Sequence, residues 1–328
     1  MFAVSNTARE VRPHMNPLVL HRADPQALRH TDGHYYFTAT HPQYDRIVLR
    51  RSRTLEGLAE APESVIWNAH PTGDMAAHIW APELHRVDGA WYVYFAAAPA
   101  EDEWRIRIWV LENPNDDPFE GSWTEKGRVE TEWDTFSLDA TTFVHKGVQY
   151  LAWAQADPTR EGHNTAILLS AMANPWTLTS PQTVLSAPEL EWECRGHKVN
   201  EGPYVITRDG RIHLTYSASA TDHHYCVGLL TADAEADLLD PAVWTKSPLP
   251  VLATSEANGV YGPGHNSFTV AEDGETDVIL YHARSYKEID GDPLDDPNRH
   301  TRMQPFGWNP DGTPDFGVPS ADTAKESA

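Results

Sequence analysis

Five titratable side chains, Asp24, Glu83, Asp139, Glu201 and His265, stand six to nine positions ahead of five glycines, Gly33, Gly89, Gly147, Gly210 and Gly274. Four are carboxylates and one is an imidazole. Two carboxyl groups flanking a small neutral substrate can hydrolyse it. One, kept protonated, gives its proton to the leaving oxygen, while the other, ionised, activates water or attacks directly. Crowding such groups separates their pKa values, because mutual repulsion and loss of water hold one of them protonated. The residues lie far apart in the chain, so this chemistry requires a fold that brings matching places of successive repeats to one point.

The glycines identify that fold. Asp32-Gly33, Asp88-Gly89, Lys146-Gly147, Asp209-Gly210 and Asp273-Gly274 are tight-turn pairs, with glycine supplying the positive φ that a hairpin needs, and they recur at intervals of 56, 58, 63 and 64 residues. Trp67, Trp123, Trp176, Trp244 and Trp308 form a second ruler, at intervals of 56, 53, 68 and 64. Between them lie segments rich in β-branched and aromatic residues at 46–51, 105–110, 166–169, 225–230 and 278–283, and the alternation in Arg105-Ile106-Arg107-Ile108 marks a half-buried strand. A repeat of this length holds four strands with long loops. The expectation is an all-β, five-bladed β-propeller, a single catalytic domain over residues 1–318 with blades beginning near 24, 80, 139, 201 and 265. A β-sandwich would explain the strands but not two concordant periodicities. In a propeller the innermost strands border the central channel, so the five titratable positions converge on the axis. The repeating tryptophans belong to blade packing. A short helical turn is expected at 233–239, a surface loop at the Asp- and Pro-rich residues 290–300, and a disordered tail at 319–328.

The 328 residues carry 25 Lys and Arg against 48 Asp and Glu, a net charge of −23. That balance argues against nucleic acid or an anionic membrane as partner and favours a neutral ligand. Cys194 and Cys226 are too few for a disulfide framework and lack zinc-site spacing, so they read as small core residues. His223 and His224 follow Asp222, but neighbours on a strand point to opposite faces, so they read as loop histidines. The first residues contain no apolar run of signal-peptide length, and no stretch is long and apolar enough to span a bilayer. A cytoplasmic monomer is therefore expected, or a secreted one if a leader has been removed.

Five short motifs, Asp24-Pro25, Trp80-Ala81-Pro82-Glu83, Ser137-Leu138-Asp139, Asn200-Glu201-Gly202-Pro203 and Gly262-Pro263-Gly264-His265-Asn266, resemble in order and position those of glycoside hydrolase family 43. The resemblance spans residues 24–319. It implies an inverting hydrolase in which Asp24 is the general base, Glu201 the general acid, and Asp139 the residue that tunes and orients the acid. It further implies that Trp80 and Ala81 border the sugar pocket and that Arg284 binds a sugar hydroxyl. His265 would lie on the axis beneath the sugar, beside a possible structural calcium or sodium ion, with no cofactor required for the chemistry. Lacking a trailing β-sandwich, the chain is similar to exo-acting α-1,5-L-arabinofuranosidases within the family, acting on arabinan or arabino-oligosaccharides. A β-xylosidase or endo-arabinanase of the same family is the near alternative. A retaining fructosidase of family 32 type is a further one, from the partial likeness of Asp24-Pro25 and Glu193-Cys194, although Ala23 stands where that pattern has Asn and Glu193 falls outside the blade register. A non-catalytic sugar-binding propeller would repeat its site in every blade, whereas here the axial residues differ from blade to blade.

Overall fold

The computed structural model describes residues 15–179 and 181–323. Five antiparallel sheets follow one another along the chain. Blade one contains β1 (Ala23–Arg29), β2 (Tyr35–Thr40), β3 (Arg46–Ser52) and β4 (Ser64–Asn68). Blade two contains β5 (Ala77–Val87), β6 (Ala90–Ala98), β7 (Arg107–Asn113) and β8 (Thr124–Arg128). Blade three contains β9 (Ser137–His145), β10 (Val148–Gln155) and β11 (Ala166–Asn174), against which β12 (Thr177–Leu178) and β13 (Thr183–Ser186) both pair. Blade four contains β14 (Asn200–Arg208), β15 (Arg211–Ala218), β16 (Cys226–Asp233) and β17 (Thr245–Lys246). Blade five has three strands, β18 (Tyr261–Val270), β19 (Asp277–Arg284) and β20 (His300–Pro305), followed by a small hairpin of β21 (Gly307–Trp308) and β22 (Pro314–Asp315). The start of the chain adds to that fifth blade. Val19 bridges Thr301 of β20, with Leu18 N–H donating to Thr301 O at 2.8 Å and Thr301 N–H to Val19 O at 2.9 Å, which joins the first blade to the last.

All five hairpin glycines have positive φ, from 74° at Gly210 to 83° at Gly89. All five repeating tryptophans serve the cores, as their periodicity implied, Trp308 packing against the fifth-blade cluster. Trp67 and Trp123 join a cluster that takes Ile47 and Leu49 from blade one and Leu84, Val93 and Phe95 from blade two, while Trp176 and Trp244 pack in the clusters that follow around the ring.

What the spacing did not reveal is a bulge in every innermost strand. Pairing slips along β1, β5, β9, β14 and β18. Each strand has one positive-φ residue at a matching slip, Asp24 (55°), Ala81 (45°), Asp139 (55°), Gly202 (53°) and His265 (46°), and β5 and β18 slip a second time, at His78 (50°) and Gly262 (62°). A bulge bends the strand and re-aims a side chain, here toward the axis. These five are the structurally equivalent positions. Glu83 lies two residues past its blade's bulge and bonds His85 Nε2 at 2.8 Å. Glu201 lies one residue before its own.

Two further expectations change. Of residues 233–239, Asp233 ends β16 and the rest form turns instead of a helical turn, with a 3-10 turn just beyond at Pro241–Val243, where Pro241 sits at the start and the Asp240 carboxylate accepts from Ala242 N–H at 2.9 Å. Of the tail, residues 319–323 are held against the fifth blade. Ser320 N–H donates to Gln304 Oε1 at 2.8 Å, Thr323 N–H to Asn16 O at 2.9 Å, and Asp322 pairs with Arg302 and Ser285. Residues 324–328 lie outside the described residues. Both cysteines are free, Cys226 buried and Cys194 half-buried. Among the described residues no helix is long and apolar enough to cross a membrane.

Candidate active site

The bulges of blades one, three and five bring Asp24, Asp139 and His265 to the wall of one cavity of about 310 Å³, and Glu201 reaches the same cavity from blade four. Four of the five titratable sequence positions meet there, and Glu83 does not line the cavity. Asp24 is buried, with Oδ2 accepting from Thr40 Oγ1 at 2.5 Å. Thr40 Oγ1 in turn accepts from Ala81 N–H at 2.7 Å, so Ala81 contributes its backbone to fixing Asp24. Asp24 Oδ1 faces His282 Nδ1 at 3.2 Å, His265 Nδ1 at 3.3 Å and Arg299 Nη1 at 3.8 Å. Burial would push its pKa up. His265, the hydrogen bond with His282 and the Arg299 guanidinium outweigh burial and hold the carboxyl far below the usual carboxylate range. Asp24 is therefore ionised at neutral pH.

Glu201 and Asp139 behave in the opposite way. Burial raises Glu201, and the Asp24 charge adds to the rise. The phenol of Tyr225, donating to Oε1 at 2.7 Å, and the cationic His265 and Arg299 oppose it without cancelling it. Burial also raises Asp139, opposed by His265 and reinforced by Glu201 and Asp24, and the group is pushed up to about 7 despite a 3.0 Å bond from Gly202 N–H to Oδ2. Two like carboxyl groups so close cannot both ionise freely, so the pair retains a proton near neutrality. Between these carboxyls, burial alone would depress His265, but the charges of Asp24, Asp139, Glu201 and Glu83 raise it. His282 is lowered to about 4, chiefly by burial, and is a neutral imidazole. Its ring stacks on Tyr225 with centroids 5.5 Å apart and planes 2° from parallel. Tyr225 therefore links the surroundings of the ionised carboxyl to those of the protonated one.

Trp80 lines one wall. Its ring stacks on His78 at 4.3 Å, and Trp104 stands edge-on to both at the cavity mouth, 54% exposed. Part of the rim comes from the 285–299 loop, whose Asp292, Pro293 and Leu294 line the cavity. The sequence marked this segment only as a surface loop. Arg284 is placed behind the rim. Its guanidinium donates to Asp296 Oδ2 at 3.0 Å, Thr221 O at 2.7 Å and Pro293 O at 2.6 Å, and the residue is outside the cavity lining. The arginine that lines the cavity is Arg299, which also donates to Tyr44 Oη at 3.2 Å. Arg299, Thr40, His282 and Tyr225 escaped the sequence reading. His282 sits two residues from Arg284 in a run that did attract notice, whereas Arg299 precedes its strand with no motif around it. Glu193, the acid of the fructosidase alternative, is fully buried away from the cavity and bonded to Lys246 Nζ at 2.8 Å and Tyr216 Oη at 2.8 Å.

His265 Nδ1 faces two carboxyl groups, Asp24 Oδ1 at 3.3 Å and Asp139 Oδ2 at 3.8 Å. Among the described residues, the one trio of potential ligands within 4.8 Å of one another is Asp222, His223 and His224.

Comparison with known proteins agrees with this architecture. The model of Glycosyl hydrolases family 43 matches residues 15–314. An extracellular exo-alpha-(1->5)-L-arabinofuranosidase from Streptomyces chartreusis is 69% identical over 290 residues, covering 88% of this chain and 88% of that protein. A protein of the same description from Streptomyces avermitilis is 61% identical over 94% of this chain, which spans 64% of that longer relative. The crystal structure of an alpha-L-arabinofuranosidase from Lactobacillus brevis superposes with a TM-score of 0.93 at 51% identity, covering 95% of this chain and 98% of the other. The cytoplasmic expectation finds no support here, since both Streptomyces proteins are described as extracellular. The five-bladed ring, the motifs in its innermost strands and these matches together place the chain in glycoside hydrolase family 43.

Proposed function

We propose that the protein is an exo-acting, inverting α-1,5-L-arabinofuranosidase that releases arabinose from the non-reducing ends of arabinan and arabino-oligosaccharides, and that it works outside the cell. The observation that carries the reading is the opposed protonation of buried carboxyl groups in one cavity, Asp24 held ionised and the Glu201–Asp139 pair retaining a proton. Asp24 takes a proton from a water molecule, which attacks the anomeric carbon on the face opposite the leaving group. Glu201 gives its proton to the departing O5 of the next arabinose, breaking the glycosidic bond. Tyr225 stabilises the carboxylate left behind through its hydrogen bond. Asp139, carrying the negative charge while Glu201 holds the proton, keeps that proton in place until the leaving oxygen needs it.

The cavity volume is at the small end of ligand pockets and suits one sugar ring plus the attacking water. The sugar and linkage rest on the relatives: two are described as exo-α-1,5-L-arabinofuranosidases, and the solved neighbour as an α-L-arabinofuranosidase. Chromatography of products from linear α-1,5-arabinotetraose tests the reading. Arabinose and arabinotriose should be the first products, and an aryl arabinofuranoside should outpace an aryl xyloside. Arabinobiose as the first product, or preference for the xyloside, would overturn it.

A further inference from the structure

The turn between β15 and β16 presents two imidazoles and a carboxylate that the hydrolytic machinery does not use. We propose that Asp222, His223 and His224 form a binding site for a divalent cation of the zinc and copper class, set beside the rim of the catalytic cavity.

Consecutive residues on a strand would diverge, but these lie in a turn, and the turn is fixed at several points. Asp222 Oδ1 accepts from His224 N–H at 2.7 Å, Asp222 O from Tyr225 N–H at 3.2 Å, His223 O from Thr254 Oγ1 at 2.6 Å, and Thr221 O from Arg284 at 2.7 Å. Gly262 packs against the Asp222 carbonyl so closely that an added Cβ would lie 2.2 Å from it. The two rings consequently fall on the same side, with centroids 3.9 Å apart. The ligating atoms of all three residues lie within 4.8 Å of one another, and His224 Nδ1 is 2.9 Å from Asp222 Oδ1. Nitrogen and oxygen ligands at about 2.0–2.2 Å from a tetrahedral zinc stand roughly 3.3–3.5 Å apart, so side-chain rotation alone closes the set. Two imidazoles and one carboxylate favour zinc, copper or nickel over calcium or magnesium, which prefer all-oxygen ligation. The three residues are half-buried, so an ion can reach them from solvent, and three protein ligands leave a position for water. Arg195 and Glu256 share the surface depression with the histidines and carry opposite charges.

The position gives the site a consequence. Thr221, immediately before the trio, lines the catalytic cavity, and Tyr225, immediately after it, donates to Glu201. A cation gripping residues 222–224 clamps the short segment that joins the cavity rim to the hydrogen-bond donor of the acid.

Calorimetric titration of the chelator-treated protein with zinc alone tests the proposal without reference to activity. One ion should bind per chain. His223→Asn and His224→Asn should each weaken binding at least about tenfold, and Asp222→Asn, which keeps an oxygen for the turn, should weaken it as well. Zinc should raise the melting temperature of the parent protein and leave that of the His223→Asn/His224→Asn double variant unmoved. With cobalt as probe, the absorption should lack the intense near-ultraviolet band of thiolate ligation, excluding Cys194 and Cys226. Absence of a single-ion isotherm, or equal affinity in the double variant, would overturn the site. Neither result depends on which sugar the catalytic cavity accepts.

Discussion

Asp24 and Glu201 are both carboxyl groups in the same cavity, and their surroundings set them apart. Asp24 meets His265, His282 and Arg299, while Glu201 has Tyr225 and the repulsion of its neighbours. Replacing Glu201 by Ala should lower kcat on arabino-oligosaccharides by about 100- to 10,000-fold, the range of general acid catalysis, and spare an aryl arabinofuranoside with a good leaving group to a greater extent. Asp24→Ala should lose activity on both, because water activation is needed whatever departs. Parallel kinetics on the two substrates separate these outcomes, and equal loss on both for Glu201→Ala would contradict its role as acid. Tyr225→Phe removes a donor that favours the ionised form of Glu201, so the acid keeps its proton to higher pH. The basic limb of the kcat/KM profile should therefore move upward, and a downward or absent shift would show that the phenol does not tune the acid. The acidic residues were legible in the sequence because each sits in a short motif. Arg299 and Thr40 were not, since each reaches Asp24 from a strand end or loop whose local sequence carries no mark, and only the closed ring makes them neighbours.

At the level of strands, tight turns are written in one or two residues, so Asp-Gly pairs exposed the hairpins. A bulge is set by pairing between two strands and leaves no comparable local trace. Hence Glu83 looked equivalent to Asp24, although Ala81 is the blade-two counterpart. The bulges also make Gly202 informative. Four equivalent positions carry a side chain at positive φ, so the backbone there tolerates one, but a Cβ on Gly202 would lie 3.1 Å from the His265 ring. Gly202→Ala should displace that imidazole and reduce kcat, together with a loss of roughly 1–2 kcal/mol for the left-handed conformation. Gly210→Ala, at φ 74° with open space around it, should show a similar stability loss and unchanged kinetics. Denaturant unfolding alongside steady-state rates distinguishes the two variants; a matching kinetic defect in both would mean that strain, not the His265 contact, is responsible.

For the molecule as a whole, ring closure depends on a few residues near the start. Leu18 is 3% exposed and packs with Ala27, Val278 and Met303 across the first and fifth blades. Leu18→Ala should cost about 2–5 kcal/mol in unfolding free energy, since it empties a packed junction. The periodicity revealed how many blades there are, but not how the ring is sealed, because the sealing pair, Val19 and Thr301, is separated by nearly the whole chain. Stability should depend on pH in two windows. Asp24, depressed on folding, contributes stability above its unfolded pKa of 3.8 that is lost as pH falls. The coupled pair of Asp139, raised from 3.8 to about 7, and Glu201, also raised, retains a proton that the unfolded chain releases, so its contribution declines as pH rises through that interval. Asp139→Asn should accordingly raise the melting temperature at pH 8 more than at pH 5, even as activity falls, and a uniform change at both pH values would contradict the buried charge. The most direct test of the account is proton NMR of the sugar first formed from an aryl α-L-arabinofuranoside, followed before mutarotation. Water activated by Asp24 on the face opposite a leaving group protonated by Glu201 must give β-L-arabinofuranose first; initial appearance of the α-anomer would contradict it.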